Sequence, residues 1–126
     1  MRILVTVAAA LVAAAPAHAG EIRNFDAAEF KSIQAHNGAA VIFVHADWCP
    51  VCRAQEVTIK KLISSPAYKD VTVLRIDFDT QKALWSSFKA TQQSTLIGFH
   101  GRRETGRLAY DANAQKVTAV FASTRR

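Results

Sequence analysis

The run Ala40-Val41-Ile42-Phe43-Val44 is apolar at every position and rich in β-branched side chains, the pattern of a strand covered on both faces. It predicts a central strand. Upstream, Phe25-Asp26-Ala27-Ala28-Glu29-Phe30 combines two helix-start devices: Asp26 as cap with Glu29 closing the capping box, and Phe25 positioned to staple onto Phe30. The predicted helix starts at Asp26, buries Phe30 and Ile33, and ends near Asn37-Gly38, where the glycine accommodates a left-handed residue. Downstream, Arg53 to Ser64 mixes Val57, Lys61 and Ile63 with polar positions in helical fashion, and Pro50 fits the first turn, where its missing N–H has no partner anyway. Val71 to Phe78 is a second β-rich run. Thr80 to Lys89 predicts a helix burying Leu84, Trp85 and Phe88, and Thr95 to His100 a third apolar strand. Gly101-Arg102-Arg103 supplies a turn, Glu104 to Tyr110 an antiparallel edge strand, and Asp111 a cap for a last helix burying Val117, Val120 and Phe121. This order predicts an α/β domain with one central mixed sheet flanked by helices.

The first 19 residues do not fit that domain. Arg2 precedes an uncharged apolar run from Ile3 to Ala15, followed by Pro16 and the small-residue series Ala17-His18-Ala19 ahead of Gly20. That layout predicts a secretory signal peptide over residues 1–19, cleaved after Ala19, with the domain occupying residues 20–126. A retained N-terminal anchor is the competing reading, and the short apolar run argues against it. With no cysteine before Gly20, a lipoprotein anchor has no attachment point, so the expected location is the periplasm or an equivalent exported space. The 126-residue chain carries a formal charge of +6, one unit of which belongs to Arg2, and much of the rest to Arg102, Arg103, Arg107, Arg125 and Arg126. Solvated surface is the ordinary explanation of such charge, and attraction to an acidic protein or an anionic membrane face the specific one. Nucleic acid is not an expected partner of an exported chain with no recognition motif.

Two cysteines remain, Cys49 and Cys52 in Asp47-Trp48-Cys49-Pro50-Val51-Cys52. A bridge between positions three apart closes too small a loop to staple a domain usefully, so the pair reads as redox chemistry. Metal or iron–sulfur binding without redox turnover is the alternative use of such a pair, although the chain has no second Cys or His cluster at zinc spacing and only His45 nearby as a further ligand. A sulfur at a helix N-terminus faces unpaired N–H groups and the positive end of the macrodipole, which favour the thiolate. Such motifs bring a cysteine from about 8.5 to roughly 3.5–7.5. Cys49 is the expected attacking thiolate and Cys52, about one turn behind it, the resolving thiol.

Strand, Asp47-Trp48-Cys-x-x-Cys, helix, strand with Asp77, helix, Thr95-Leu96-Ile97 and a glycine turn together resemble the thioredoxin family over nearly all of residues 20–126. Within it, Ala46-Asp47-Trp48-Cys49 and Glu56 are similar to the C-terminal domain of the periplasmic electron transporter DsbD and its thioredoxin-like relatives. The resemblance implies a thioredoxin fold and thiol–disulfide oxidoreductase activity on protein thiols or disulfides. It further implies no cofactor beyond the redox-active Cys49–Cys52 pair, and a membrane-bound or periplasmic redox partner. It also implies substrate contacts from Trp48, Pro50, Val51, Gln93, Ser94 and Thr95. The interval from Cys49 to Ser94 leaves no room for the helical insertion of DsbA-type oxidants, which favours a reductant or relay, whereas a proline directly after the first cysteine occurs in oxidants as well.

The chain departs from the family pattern in several places. Phe43 stands where thioredoxin buries an acid beneath its dithiol, and Val73 where the accompanying lysine would be. Proton transfer from Cys52 then needs another route. Glu56, one turn past Cys52, is the candidate carboxylate, with an exposed helix glutamate as the alternative. His45 occupies a position usually aromatic, and either packs there or, if charged, favours the Cys49 thiolate. Ser94 replaces the cis-proline opposite the dithiol, which predicts a trans bond, an altered groove and less shielded sulfurs. Val57 replaces a kinking proline and predicts a straighter redox helix.

Overall fold

The computed structural model describes residues 20–126 and, before them, only Ala9; the predicted signal peptide lies outside the described residues. The elements run β1 (Ile22–Asn24), α1 (Ala27–Ala35), β2 (Ala39–His45), α2 (Pro50–Ile63), β3 (Thr72–Asp77), α3 (Lys82–Ser87), β4 (Thr95–His100), β5 (Arg103–Ala109) and α4 (Ala114–Ser123). They form one five-stranded sheet in the order β1-β3-β2-β4-β5. β1, β3 and β2 are mutually parallel, while β4 runs antiparallel to both β2 and β5.

Side-chain alternation along β2 explains why its sequence is apolar throughout. Val41 and Phe43 face one layer with Ile59 and Ile63 of α2 and Val117, Val120 and Phe121 of α4. Ala40, Ile42 and Val44 face the other, with Phe30 of α1 and Trp85 of α3. Both layers need burial, so no position on this strand is left for a polar residue until His45 at its end.

Local devices place the helices. Asp26 caps α1 by accepting the Glu29 N–H at 2.8 Å, and Phe25 meets Phe30 with ring centroids 5.7 Å apart, as the staple predicts. The left-handed residue after α1 is Asn37, at φ +53°, rather than the expected Gly38. α3 is shorter than the predicted Thr80–Lys89 span. Asp77 gathers the Thr80 hydroxyl and the Asp79 N–H into a turn, and Lys89 enters the left-handed region just beyond the helix. The cap of α4 is Asn113, which accepts the Lys116 N–H, and not Asp111. Asp111 instead accepts the Asn113 N–H and the Lys116 ammonium, one turn earlier in the chain, and these contacts hold its carboxyl below the usual range. β1 has no counterpart in the sequence reading, because three residues are too few for a periodicity to register.

Gly98 of β4 pairs with Gly106 of β5, and α4 descends onto this pair. A Cβ at Gly98 would lie 2.9 Å from Thr105 Oγ1, 3.0 Å from Ser123 Oγ and 3.1 Å from the Val120 carbonyl oxygen. The backbone oxygen cannot swing aside, so Gly98→Ala should lower stability by about 1–3 kcal/mol through overpacking. Urea denaturation measures this directly, and an unchanged midpoint would mean that α4 does not rest on the two glycines.

Candidate functional site

β2 ends at His45, and Ala46 remains fully buried while Asp47 and Trp48 emerge into solvent. Cys49 is the N-cap of α2, with extended backbone, and Pro50 follows in the first turn. Cys49 Sγ accepts the Cys52 N–H at 3.1 Å, one of the donors that a helix start leaves without a backbone partner. Both thiols are free in the structure.

The sulfurs are not left open by the loss of a proline opposite them. Cys49 is 1 % exposed and Cys52 fully buried, because Ser94 itself covers the pair. The Ser94 hydroxyl lies 3.0 Å from Cys49 Sγ and 3.0 Å from Cys52 Sγ. No cis peptide occurs among the described residues, and Ser94 adopts φ +61°. Ser94, which the resemblance assigns to a substrate groove, lies directly against both sulfurs.

The two thiols are driven apart electrostatically. Burial pushes both upward. At Cys49 that push is outweighed by hydrogen bonds from Cys52 and Ser94 and by the N–H groups of Cys52 and Val51, so its thiol titrates below the ordinary range. At Cys52 burial is reinforced by the neighbouring Cys49, and the thiol is held above its ordinary range. One sulfur suited to be the anion and one suited to keep its proton is the division of labour that nucleophile and resolving thiol require.

The other site residues separate into three groups. Trp48 and Pro50 are exposed and Val51 and Gln93 half-buried around the dithiol. The Trp48 indole N–H donates to both carboxylate oxygens of Asp79, at 3.1 and 2.9 Å, which fixes the exposed ring. Thr95 is buried and its hydroxyl donates to the Gln92 carbonyl, so it shapes the loop rather than lining an open groove. Glu56 stands 3.8 Å from His45 Nε2 and 3.7 Å from Lys60, whereas the hydroxyl beside Cys52 is that of Ser94.

His45 is 5 % exposed and packs edge-on against Phe43, with centroids 5.2 Å apart. Burial lowers its pKa, Glu56 opposes that, the Arg75 charge adds to it, and Asp47 and Asp77 oppose it weakly. The balance lowers the imidazole below its ordinary range, which disfavours a positive charge beside Cys49, and the contact it makes is packing against Phe43.

Gln55 was not singled out from the sequence. It is fully buried, and its side-chain N–H groups donate to the backbone carbonyls of Ser94 at 3.0 Å and Asp111 at 2.9 Å. Its position three residues after Cys52 and four before Ile59, on the buried stripe of α2, was the available signal.

Residues 21–122 match the family described as Thioredoxin. No curated protein matches the chain at a significant level. Among solved structures, Trxlp from Edwardsiella tarda EIB202 is 34% identical, with a TM-score of 0.74, and the match covers 83% of this chain and all of that one. Thioredoxin from Malassezia sympodialis (Mala s 13) is 19% identical with a TM-score of 0.72, over 85% of this chain and 93% of that chain. Oxidized mitochondrial thioredoxin 3 from Saccharomyces cerevisiae is 23% identical with a TM-score of 0.66, over 80% and 92%. The last two share the fold, and the first shares sequence as well. With the family matched over nearly all the described residues and a Cys-x-x-Cys pair at the start of α2, the chain belongs to the thioredoxin family and is a thiol–disulfide oxidoreductase.

Proposed function

We propose that this protein is an exported reductant or electron relay that transfers two electrons from Cys49 and Cys52 to disulfides of other proteins. The Cys49 thiolate attacks one sulfur of a substrate disulfide, forming a mixed disulfide and expelling the other substrate sulfur as a thiolate. Cys52 then gives up its proton and attacks Cys49 Sγ. The second substrate thiol leaves, and the enzyme retains an internal disulfide. The observation that carries this reading is the pairing of a Cys49 sulfur hydrogen-bonded at the start of α2 with a buried Cys52 thiol beside it.

Export is supported by the basic, apolar and small-residue order of residues 1–19. The reducing direction is supported by the similarity of Ala46 to Cys49, and of Glu56, to the C-terminal domain of DsbD. By the same similarity, a membrane-bound or periplasmic partner returns the oxidised pair to the dithiol.

The reduction potential tests the direction. Equilibration of the protein lacking residues 1–19 with glutathione or dithiothreitol buffers should give a value near about −270 mV, while one near about −120 mV would make the protein an oxidant. Cell fractionation with mass measurement of the N-terminus tests the location: the expected product begins at Gly20 in the exported fraction. An intact Met1 terminus in the cytosol would reject export.

A further inference from the structure

We propose that Ser94 is a catalytic residue of this exchange, its hydroxyl holding the Cys49 thiolate and relaying the proton of Cys52 when Cys52 attacks. The proposal rests on the oxidoreductase reading above and assigns the proton route that the reading leaves open.

The geometry is specific. A serine hydroxyl has one proton to donate and two lone pairs to accept with, and here both sulfurs lie 3.0 Å from the same oxygen. With Cys49 ionised, Ser94 donates to Cys49, and the single Cys52 proton has two acceptors, the Cys49 sulfur and the Ser94 oxygen; once Cys49 is bonded to substrate, the Ser94 oxygen is the better acceptor. The oxygen is held in place by its own backbone. The Ser94 N–H donates to the Val44 carbonyl at 2.8 Å, and its carbonyl accepts from the Tyr110 N–H at 3.0 Å and from Gln55 at 3.0 Å. Three bonds from β2, α2 and the end of β5 fix the main chain, and full burial against the two sulfurs fixes the rotamer that points the oxygen at them.

Ser94 adopts φ +61°, a conformation that glycine takes without strain, so replacing it with glycine removes the hydroxyl without adding backbone strain. Apart from the Cys49 sulfur itself, Ser94 is the polar side chain bonded to Cys52 Sγ among the described residues: Phe43 shares the apolar cluster with the pair, and Glu56 faces His45 and Lys60.

The resolving step then balances as follows. The Cys52 proton moves to Ser94 Oγ as the hydroxyl's own proton leaves toward the departing sulfur. The Cys52 sulfur bonds to Cys49 Sγ, the bond between Cys49 and the substrate sulfur breaks, and the substrate leaves as a neutral thiol. Ser94 ends as it began, and the two electrons reside on the substrate.

Ser94→Gly is the informative variant, because it removes the hydroxyl while relieving the strained backbone; Ser94→Ala is the second, keeping the Cβ. The Cys49 thiolate is read by its ultraviolet absorbance against pH, which needs no reagent to reach a buried sulfur. Both variants should shift the Cys49 midpoint upward by about one pH unit or more, the loss of one hydrogen bond to a charged group. In rapid-quench experiments the mixed disulfide should persist about tenfold longer at neutral pH, with the difference closing as pH approaches the Cys52 titration. A folded Ser94→Gly protein with the wild-type midpoint, or with the wild-type release rate, would overturn the proposal. The absorbance titration reports on Ser94 whether or not the wild type reduces any protein disulfide. An inactive wild type would therefore reject the functional reading, and an unshifted midpoint would reject this one.

Discussion

Cys49→Ala should reduce disulfide exchange to the background rate, a fall of about a thousandfold or more, because no other thiolate stands at the start of α2 to replace it. Cys52→Ala should behave differently. It keeps the nucleophile and its Ser94 contact but removes the group that releases the substrate, so the protein should attack once and remain joined to its partner. Non-reducing electrophoresis of Cys52→Ala protein mixed with an excess of a disulfide-containing protein should therefore show one stable adduct that disappears on adding dithiothreitol. Neither change should unfold the domain, since a buried thiol replaced by a methyl leaves only a small void. Turnover persisting in Cys49→Ala at more than a tenth of the wild-type rate would show that the wrong sulfur has been assigned.

The 1 % exposure of Cys49 adds a condition to this result. A substrate sulfur reaches Cys49 only when the surrounding rim opens, so the first chemical step combines an opening equilibrium with the thiolate fraction. Trp48 is held to Asp79 through its indole N–H, and it is the exposed large apolar side chain next to the nucleophile. Rates with small alkylating reagents therefore mix access with ionisation, and titration of the thiolate itself separates the two.

Much of the fold was legible because its signals are local and repetitive. β2 announces burial on both faces through five consecutive apolar residues, and α1 announces its start through Asp26 and Phe25, which make the contacts that their spacing implies, while the Glu29 carboxylate pairs with Arg23 instead of closing the capping box. Strand β4 has the predicted Thr95–His100 limits. What was not legible depends on the third dimension. Asn113 and Asp111 are both competent caps, and only the path of the chain from β5 into α4 decides between them. β1 becomes a strand because Ile22 to Asn24 find a parallel partner in β3, a contact some fifty positions away that no short window contains.

The same distinction runs through the site. Cys49 and Cys52 were readable because their three-residue spacing follows a buried strand and opens a helix, a purely local setting. Ser94 was readable only as a substitution in a family position. Its contact with both sulfurs follows from a left-handed backbone angle and from Gln55, which crosses from α2 to hold the Ser94 carbonyl. Glu56 illustrates the opposite case: the helical offset that places it near Cys52 in sequence also permits it to face outward, and the structure turns it toward His45 and Lys60.

Phe43→Ala should lower the stability of the domain by about 3–5 kcal/mol, the usual cost of removing a fully buried aromatic ring. Phe43 is 0 % exposed in the middle of the central strand, and it lies in the same cluster as Cys49, Cys52, Ile59 and Phe121. Against a total of about 5–15 kcal/mol for a domain, such a loss leaves the protein folded but marginal, with a melting temperature roughly 12–20 °C lower. Phe43→Leu, which keeps most of the volume, should cost far less, at about 1.5 kcal/mol or under. The comparison also decides what Phe43 contributes to the chemistry. A phenyl ring has no titratable proton, so if proton handling resides in Ser94, activity per folded molecule should stay near wild type in both variants. Urea denaturation supplies the folded fraction and disulfide reduction supplies the activity. A Phe43→Ala protein as stable as wild type would remove Phe43 from the core, and a Phe43→Leu protein that folds fully yet exchanges disulfides tenfold more slowly would place the ring in the reaction.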